Sequence, residues 1–230
     1  MRKLTYLPAT VLPATMVALA LLPACVAQDR FEGDVQRMLT ADQSSGPPRE
    51  GIEFIGSSIF RLWTGLREQM APLPVFNRSF GGSRTQDLVK RAPQLVIPYR
   101  PKVIAYYCGS NDVNAGDSAE QILSRTKEFL RVVHEALPNT LVIYTAIQKA
   151  PDKRAHWDVV DAVNHEMERF SKESKNLWFV DLNPVLFQGG HLREDLFLPD
   201  ELHFRPESSA YAEFTAVMRP VLEKAWAHVQ

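Results

Sequence analysis

Cysteine is scarce in this chain: 230 residues hold only Cys25 and Cys108. Two thiols cannot build a disulfide framework, and two separated cysteines make an unconvincing zinc site. An excess of one charge is also missing. The formal net charge is -1, and no long basic or acidic block interrupts the sequence. That gives no ground for nucleic-acid binding. No GxxxxGKS-type phosphate loop and no internal repeat occurs. Apolar runs are short, with one exception at the N-terminus.

That exception begins MRKL, with Arg2 and Lys3, and continues as an Ala/Leu-rich stretch to LLPAC, ending at Cys25. A charged start followed by an apolar run is the pattern of an export signal. Pro8, Pro13 and Pro23 interrupt the run, and it is too short for a permanent membrane anchor. LPAC resembles a bacterial lipoprotein signal, which implies lipidation of Cys25 at the head of the mature chain. Pro23 departs from the residue types usual there. The alternative is ordinary cleavage after Ala27. A Cys25–Cys108 disulfide requires an unlipidated Cys25. Cys108 lies inside KVIAYYCG and reads as a small buried core residue.

The whole chain is 45% hydrophobic and 23% charged, and with the N-terminal stretch set aside it is long enough for one soluble domain with a sizeable core. Residues 26–50 are polar: a short helix is expected in QDRFEGDVQRMLTADQ, then a turn-rich linker, SSGPPREG. The ordered domain is expected over 51–230. Five short runs read as strands: IEFIG (52–56), VFNRSF (75–80), KVIAYYC (102–108), TLVIYTAI (140–147) and LWFVDL (177–182). Between them lie helix-spaced segments. IFRLWTGLREQM is one. SRTQDLVKRAPQLV is another, weakened by Pro93. The last helix carries Pro220, which is expected to bend it. Alternating strands and helices predict βαβ units and a mostly parallel sheet covered on both faces. Ligands of such sheets bind beyond the carboxyl ends of the strands. The sequences there are GSSI, GGSRT, GSNDVNAG, QKAPDKR and a long loop ending DELHF.

Four of these loops are similar, block by block, to the SGNH/GDSL hydrolases. GSSI matches the family's GDS[LI] block and implies a nucleophile at Ser58, with Ser57 standing where the family has aspartate. FGGS matches the glycine block at Gly82. GSND matches GxND and implies a side-chain oxyanion donor at Asn111. DELH matches DxxH, with Asp200 and His203. The resemblance runs from about Ile52 to Tyr211 in the right order. It implies a three-layer α/β/α sandwich, flavodoxin-like, with a five-stranded parallel sheet. It also implies ester hydrolysis through an acyl-enzyme without metal or cofactor.

The chemistry is consistent with those residue types. A serine hydroxyl needs a base to take its proton. An imidazole suits that task, and a carboxylate orients it. Backbone amides of Ser58 and Gly82, with the Asn111 amide, would hold the oxyanion, aided by the dipole of the helix after Ser58. No GxSxG nucleophile elbow is present, which argues against the ordinary α/β-hydrolase fold. Each residue also has a plainer role. Ser57 or Ser58 could only cap a helix, Gly82 and Asn111 could only serve turns, and Asp200 could only cap a turn. His134, His156, His165, His191 and His228 read as structural or surface residues. Arg84 reads as a solvated arginine.

The expected substrate is a short-chain or acetyl ester on a small molecule, glycan or lipid. The rival is a non-catalytic glycan- or lipid-binding lipoprotein that keeps the fold. The expected location is the periplasm or outer membrane, with secretion as the alternative. Membrane contact is expected only through the lipid anchor.

Overall fold

The computed structural model describes Met1, residues 29–46 and residues 48–230. The signal segment beyond Met1, with Cys25 and Ala27, lies outside the described residues. The chain divides into two compact units, Met1–Arg30 and Phe31–Gln230. The second unit holds the sheet, its helices and the four motif loops.

The five expected strands form. They are β1 (Ile52–Gly56), β2 (Val75–Asn77), β3 (Val103–Tyr107), β4 (Leu141–Thr145) and β5 (Leu177–Val180). They make one parallel sheet in the order β2-β1-β3-β4-β5. Eight α-helices accompany it among the described residues. They are α1 (Glu32–Ser45), α2 (Ser58–Arg61), α3 (Leu66–Met70), α4 (Thr85–Leu95), α5 (Ser110–Asn114), α6 (Ala119–Ala136), α7 (Trp157–Glu173) and α8 (Ala210–His228).

Both faces of the sheet are buried, because side chains alternate along each strand. Ile52, Phe54, Val103 and Ala105 pack with Phe214, Met218 and Leu222 of α8. Ile55, Ile104 and Tyr106 pack instead with Leu88, Phe129, Val133 and Val163 of α4, α6 and α7. The result is the three-layer α/β/α sandwich. Cys108 is a free, buried thiol in the second core.

Three local expectations need correction. The segment 59–70 is not one helix but two short ones, α2 and α3. Trp63 is buried, its N–H bonds only three residues back to Phe60, and its indole N–H reaches Gln69 at 2.5 Å. That anchor, followed by Gly65, breaks the turn. β2 stops at Asn77 rather than Phe80. The Asn77 side chain accepts from the Ser79 N–H at 2.9 Å and donates to the Phe60 carbonyl at 2.7 Å, forming a local turn. Pro93 does not interrupt α4, which runs on to Leu95; Pro220 lies inside α8, as expected. The polar lead-in is also more than a linker. Phe31 and Val35 are buried in the second core, and Asp42 of α1 pairs with Arg78 and Tyr99.

Chain reversal in this strand order falls between β1 and β3, the point where parallel sheets open a crevice. Those two strands run in register to their ends, with Gly56 opposite Tyr107. A Cβ at Gly56 would lie 2.1 Å from the Tyr107 carbonyl oxygen, so only glycine fits there. The loops after β1 and β3 are thereby held side by side.

Candidate active site

Ser58 is the first residue of α2, immediately beyond the crevice end of β1. It is only 6% exposed, and its N–H has no acceptor among the described residues. First-turn amides of a helix have no intrahelical partner, so this one remains available to a ligand. The expected helix dipole, however, is that of a single turn, since α2 spans only 4 residues.

His203 arrives from the far end of the chain. Its Nε2 lies 2.7 Å from Ser58 Oγ, and its Nδ1 lies 2.7 Å from Asp200 Oδ2. An ionised carboxylate can only accept, so Nδ1 carries the proton and neutral Nε2 accepts from the serine hydroxyl. Asp200 Oδ1 takes the N–H groups of Leu202 and His203, each at 3.0 Å. One carboxylate therefore shapes the turn and orients the imidazole together. Partial burial acts to raise the Asp200 pKa. The bonds from the His203 N–H, its imidazole and the Leu202 N–H outweigh this and hold the carboxyl below its ordinary value.

The 200–203 turn is also held from outside. Gln148 Nε2 donates to the Leu202 carbonyl at 3.0 Å, and the Asp152 N–H donates to the Glu201 carbonyl at 3.1 Å. Both belong to the loop after β4. Sequence placed that loop on the rim but gave it no task, because its bonds run to backbone and leave no motif.

Gly82 and Asn111 line the same cleft of about 360 Å³ as Ser58 and His203. Gly82 has φ 76°, in the left-handed region that favours glycine. The Asn111 amide donates one N–H to the Ser83 carbonyl at 2.9 Å, which fixes its orientation and leaves the second N–H over. Asp112, the next residue, is fully buried and accepts from Thr85, binding the loops after β2 and β3 together. Arg84 is not a solvated arginine: it pairs with Asp117, which also takes Arg125 at 2.6 Å.

Ser57 is buried beside Ser58, but its hydroxyl has no hydrogen-bond partner among the described residues and does not cap α2. Arg61 and Asp34 also line the cleft. Neither belongs to a motif, and sequence reading missed both. Among the described residues, no group of three or more His, Cys, Asp or Glu is placed to hold a metal ion.

Residues 54–210 match the model of the GDSL-like lipase/acylhydrolase family. No curated protein matches the chain by sequence. Solved structures with the same fold include a GDSL-like lipase from Bacteroides thetaiotaomicron, 19% identical, with a TM-score of 0.69 over 84% of this chain and 98% of that one. A carbohydrate esterase family 3 protein from Talaromyces cellulolyticus is 17% identical, with a TM-score of 0.62 over 78% and 99%. An acetyl esterase mutant solved with acetate is 15% identical, with a TM-score of 0.64 over 78% and 99%.

Proposed function

The chain belongs to the GDSL-like lipase/acylhydrolase family, and from that premise we propose that it hydrolyses short-chain or acetyl esters through an acyl-enzyme on Ser58. The observation that carries this reading is the unbroken run Ser58 Oγ, His203 Nε2, His203 Nδ1, Asp200 Oδ2, with both contacts at 2.7 Å. Ser58 Oγ attacks the ester carbonyl while its proton passes to His203 Nε2. The carbonyl electron pair moves to oxygen, and the Ser58 amide, Gly82 and Asn111 hold the resulting oxyanion. Collapse of the intermediate breaks the bond to the alcohol, which leaves with the proton from His203. Water then enters, gives its proton to Nε2, and releases the acid by the same steps. Asp200 keeps the imidazole oriented and balances its charge throughout.

The small cleft favours a short acyl group. It holds about 360 Å³, and Leu202 is its one aliphatic side chain. An export signal ending at Cys25 supports a lipid-anchored protein of the periplasm or outer membrane. A series of p-nitrophenyl esters from acetate to dodecanoate tests the substrate reading. Turnover should peak at two to four carbons, since a longer acyl chain outgrows the cleft and would have to take its mostly polar lining out of water. A maximum at long chains contradicts it.

A further inference from the structure

Arg61 serves two spaces. It lines the cleft beside Ser58, and it also lines an adjoining groove of about 1050 Å³. Its position depends on a glycine. A Cβ at Gly81 would lie 2.8 Å from Arg61 Nε and 3.2 Å from Nη2, so the guanidinium rests on bare backbone next to Gly82. The larger groove carries two more arginines, Arg49 before β1 and Arg67 in α3, and no aspartate or glutamate lines it. Glu50 and Glu68, their neighbours in sequence, do not reach it.

Among the described residues, none of these three arginines has a hydrogen-bond or ion-pair partner through its side chain. Most other arginines are paired, as Arg78 is with Asp42, Arg91 with Glu32 and Arg193 with Glu213; the Arg100 and Arg205 side chains also lack partners among the described residues, but they do not line either space. Three like charges along one groove repel each other until an anion joins them. Guanidinium groups, planar and weakly hydrated, take carboxylate, phosphate or sulfate on two N–H bonds at once. Ser45 and Thr64 add hydroxyl groups to the lining. A lipid fits poorly, because Met1 is the only exposed large hydrophobic among the described residues. The groove's larger apolar residues, Leu66, Leu73, Val75 and Phe76, are buried or half-buried and present no broad exposed face to a bilayer.

We propose that this groove is a subsite for the anionic portion of a saccharide ester, so that the enzyme deacylates an acidic glycan whose acylated hydroxyl sits at Ser58. The proposal rests on the esterase reading above and adds the class of alcohol. Arg61 joins the two spaces and senses the anion nearest the scissile bond.

The test uses the full chain and three acetyl esters: an O-acetylated trigalacturonate, a matched neutral O-acetylated xylotriose, and p-nitrophenyl acetate. At low salt, kcat/KM for the uronate should exceed that for the neutral sugar by tenfold or more. The advantage should shrink severalfold between roughly 20 mM and about 0.3 M salt. Arg49→Gln and Arg67→Gln should each lower the uronate-to-neutral ratio at least threefold, through KM. Binding of unacetylated trigalacturonate, measured by calorimetry, should weaken in the same variants whether or not any ester is turned over. Equal rates for both sugars with no salt dependence, while p-nitrophenyl acetate is still hydrolysed, would overturn the groove and leave the esterase. Loss of all turnover with salt-sensitive trigalacturonate binding intact would overturn the esterase and leave the groove. Faster hydrolysis of an anionic lysophospholipid than of the uronate would contradict a saccharide.

Discussion

The carboxylate of Asp112 accepts from Thr85 three times: the N–H reaches both oxygens, at 3.1 and 3.0 Å, and the hydroxyl reaches one at 2.5 Å. Thr85 opens α4 just beyond Gly82, and Asp112 directly follows Asn111. One buried carboxylate thus fixes the spacing between two of the proposed oxyanion donors. Burial pushes its pKa up, against the Thr85 bonds, so the group is held at a cost. Removing an oxyanion donor outright loses ~10²–10³ in rate. Loosening two should cost about 10–100-fold, so Asp112→Ala should lower kcat by that factor with little change in KM for a small ester. Thr85→Val, which keeps the N–H, should lose less. A folded Asp112→Ala enzyme with wild-type kcat would remove Asp112 from the site's architecture.

The depressed carboxyl of Asp200 bears on pH dependence. A lowered pKa keeps the group ionised until the pH falls below the ordinary carboxylate range. Its orienting role therefore survives mild acid, and the acid limb of kcat/KM should follow protonation of the imidazole alone. The profile should show one step there and none from a carboxylate above about pH 5. Asp200→Ala should cut kcat on the order of 10³-fold, since it frees both the imidazole and the turn. A rate profile between roughly pH 4 and 9 decides, and a second acid step above pH 5 would contradict the account.

Glu53 on β1 is fully buried, and neither carboxylate oxygen has a hydrogen-bond partner among the described residues. Burial drives its pKa well up, with nearby Arg78 opposing. The folded state then binds a proton that the unfolded chain releases near its ordinary value, so this group costs stability as pH rises above that value. Glu53→Gln should be close to neutral in acid. Toward neutrality it should become the more stable, with the gap opening by at most ~1.4 kcal/mol per pH unit until the folded carboxyl titrates. Urea melts at several pH values measure this; a gap that closes with rising pH would reverse the sign.

For the anchor, Cys25→Ser should move the protein from the membrane to the soluble fraction. Val26 rather than aspartate would follow the lipidated cysteine, consistent with the outer membrane in a Gram-negative host. One acyl chain binds a bilayer only marginally, at ~10⁴ M⁻¹, so stable retention requires several. A native N-terminus found unmodified at Gln28 by mass spectrometry would mean simple secretion.

The strands were legible because each is a short apolar run bounded by turn residues, and β1 falls on 52–56 as its sequence predicts. The motif loops were legible because each carries its residue types in order after a strand. What escaped was tertiary. The break between α2 and α3 depends on Trp63 reaching Gln69, and the packing of α1 depends on Asp42 meeting Arg78 and Tyr99. Gln148 and Asp152 act on backbone carbonyls that no pattern of side chains reveals. Arg61 gains its place from a missing Cβ at Gly81, a relationship visible only in space.

Two adjacent serines leave one decisive comparison. Ser58 Oγ meets His203 at 2.7 Å, whereas the Ser57 hydroxyl is buried without a partner. The measurement is peptide mapping of a fluorophosphonate adduct in wild type, Ser58→Ala and Ser57→Ala, with esterase activity read alongside. The adduct should sit on Ser58, persist with activity in Ser57→Ala, and vanish with activity in Ser58→Ala. Labelling that survives in Ser58→Ala and is lost in Ser57→Ala would contradict the account at its centre.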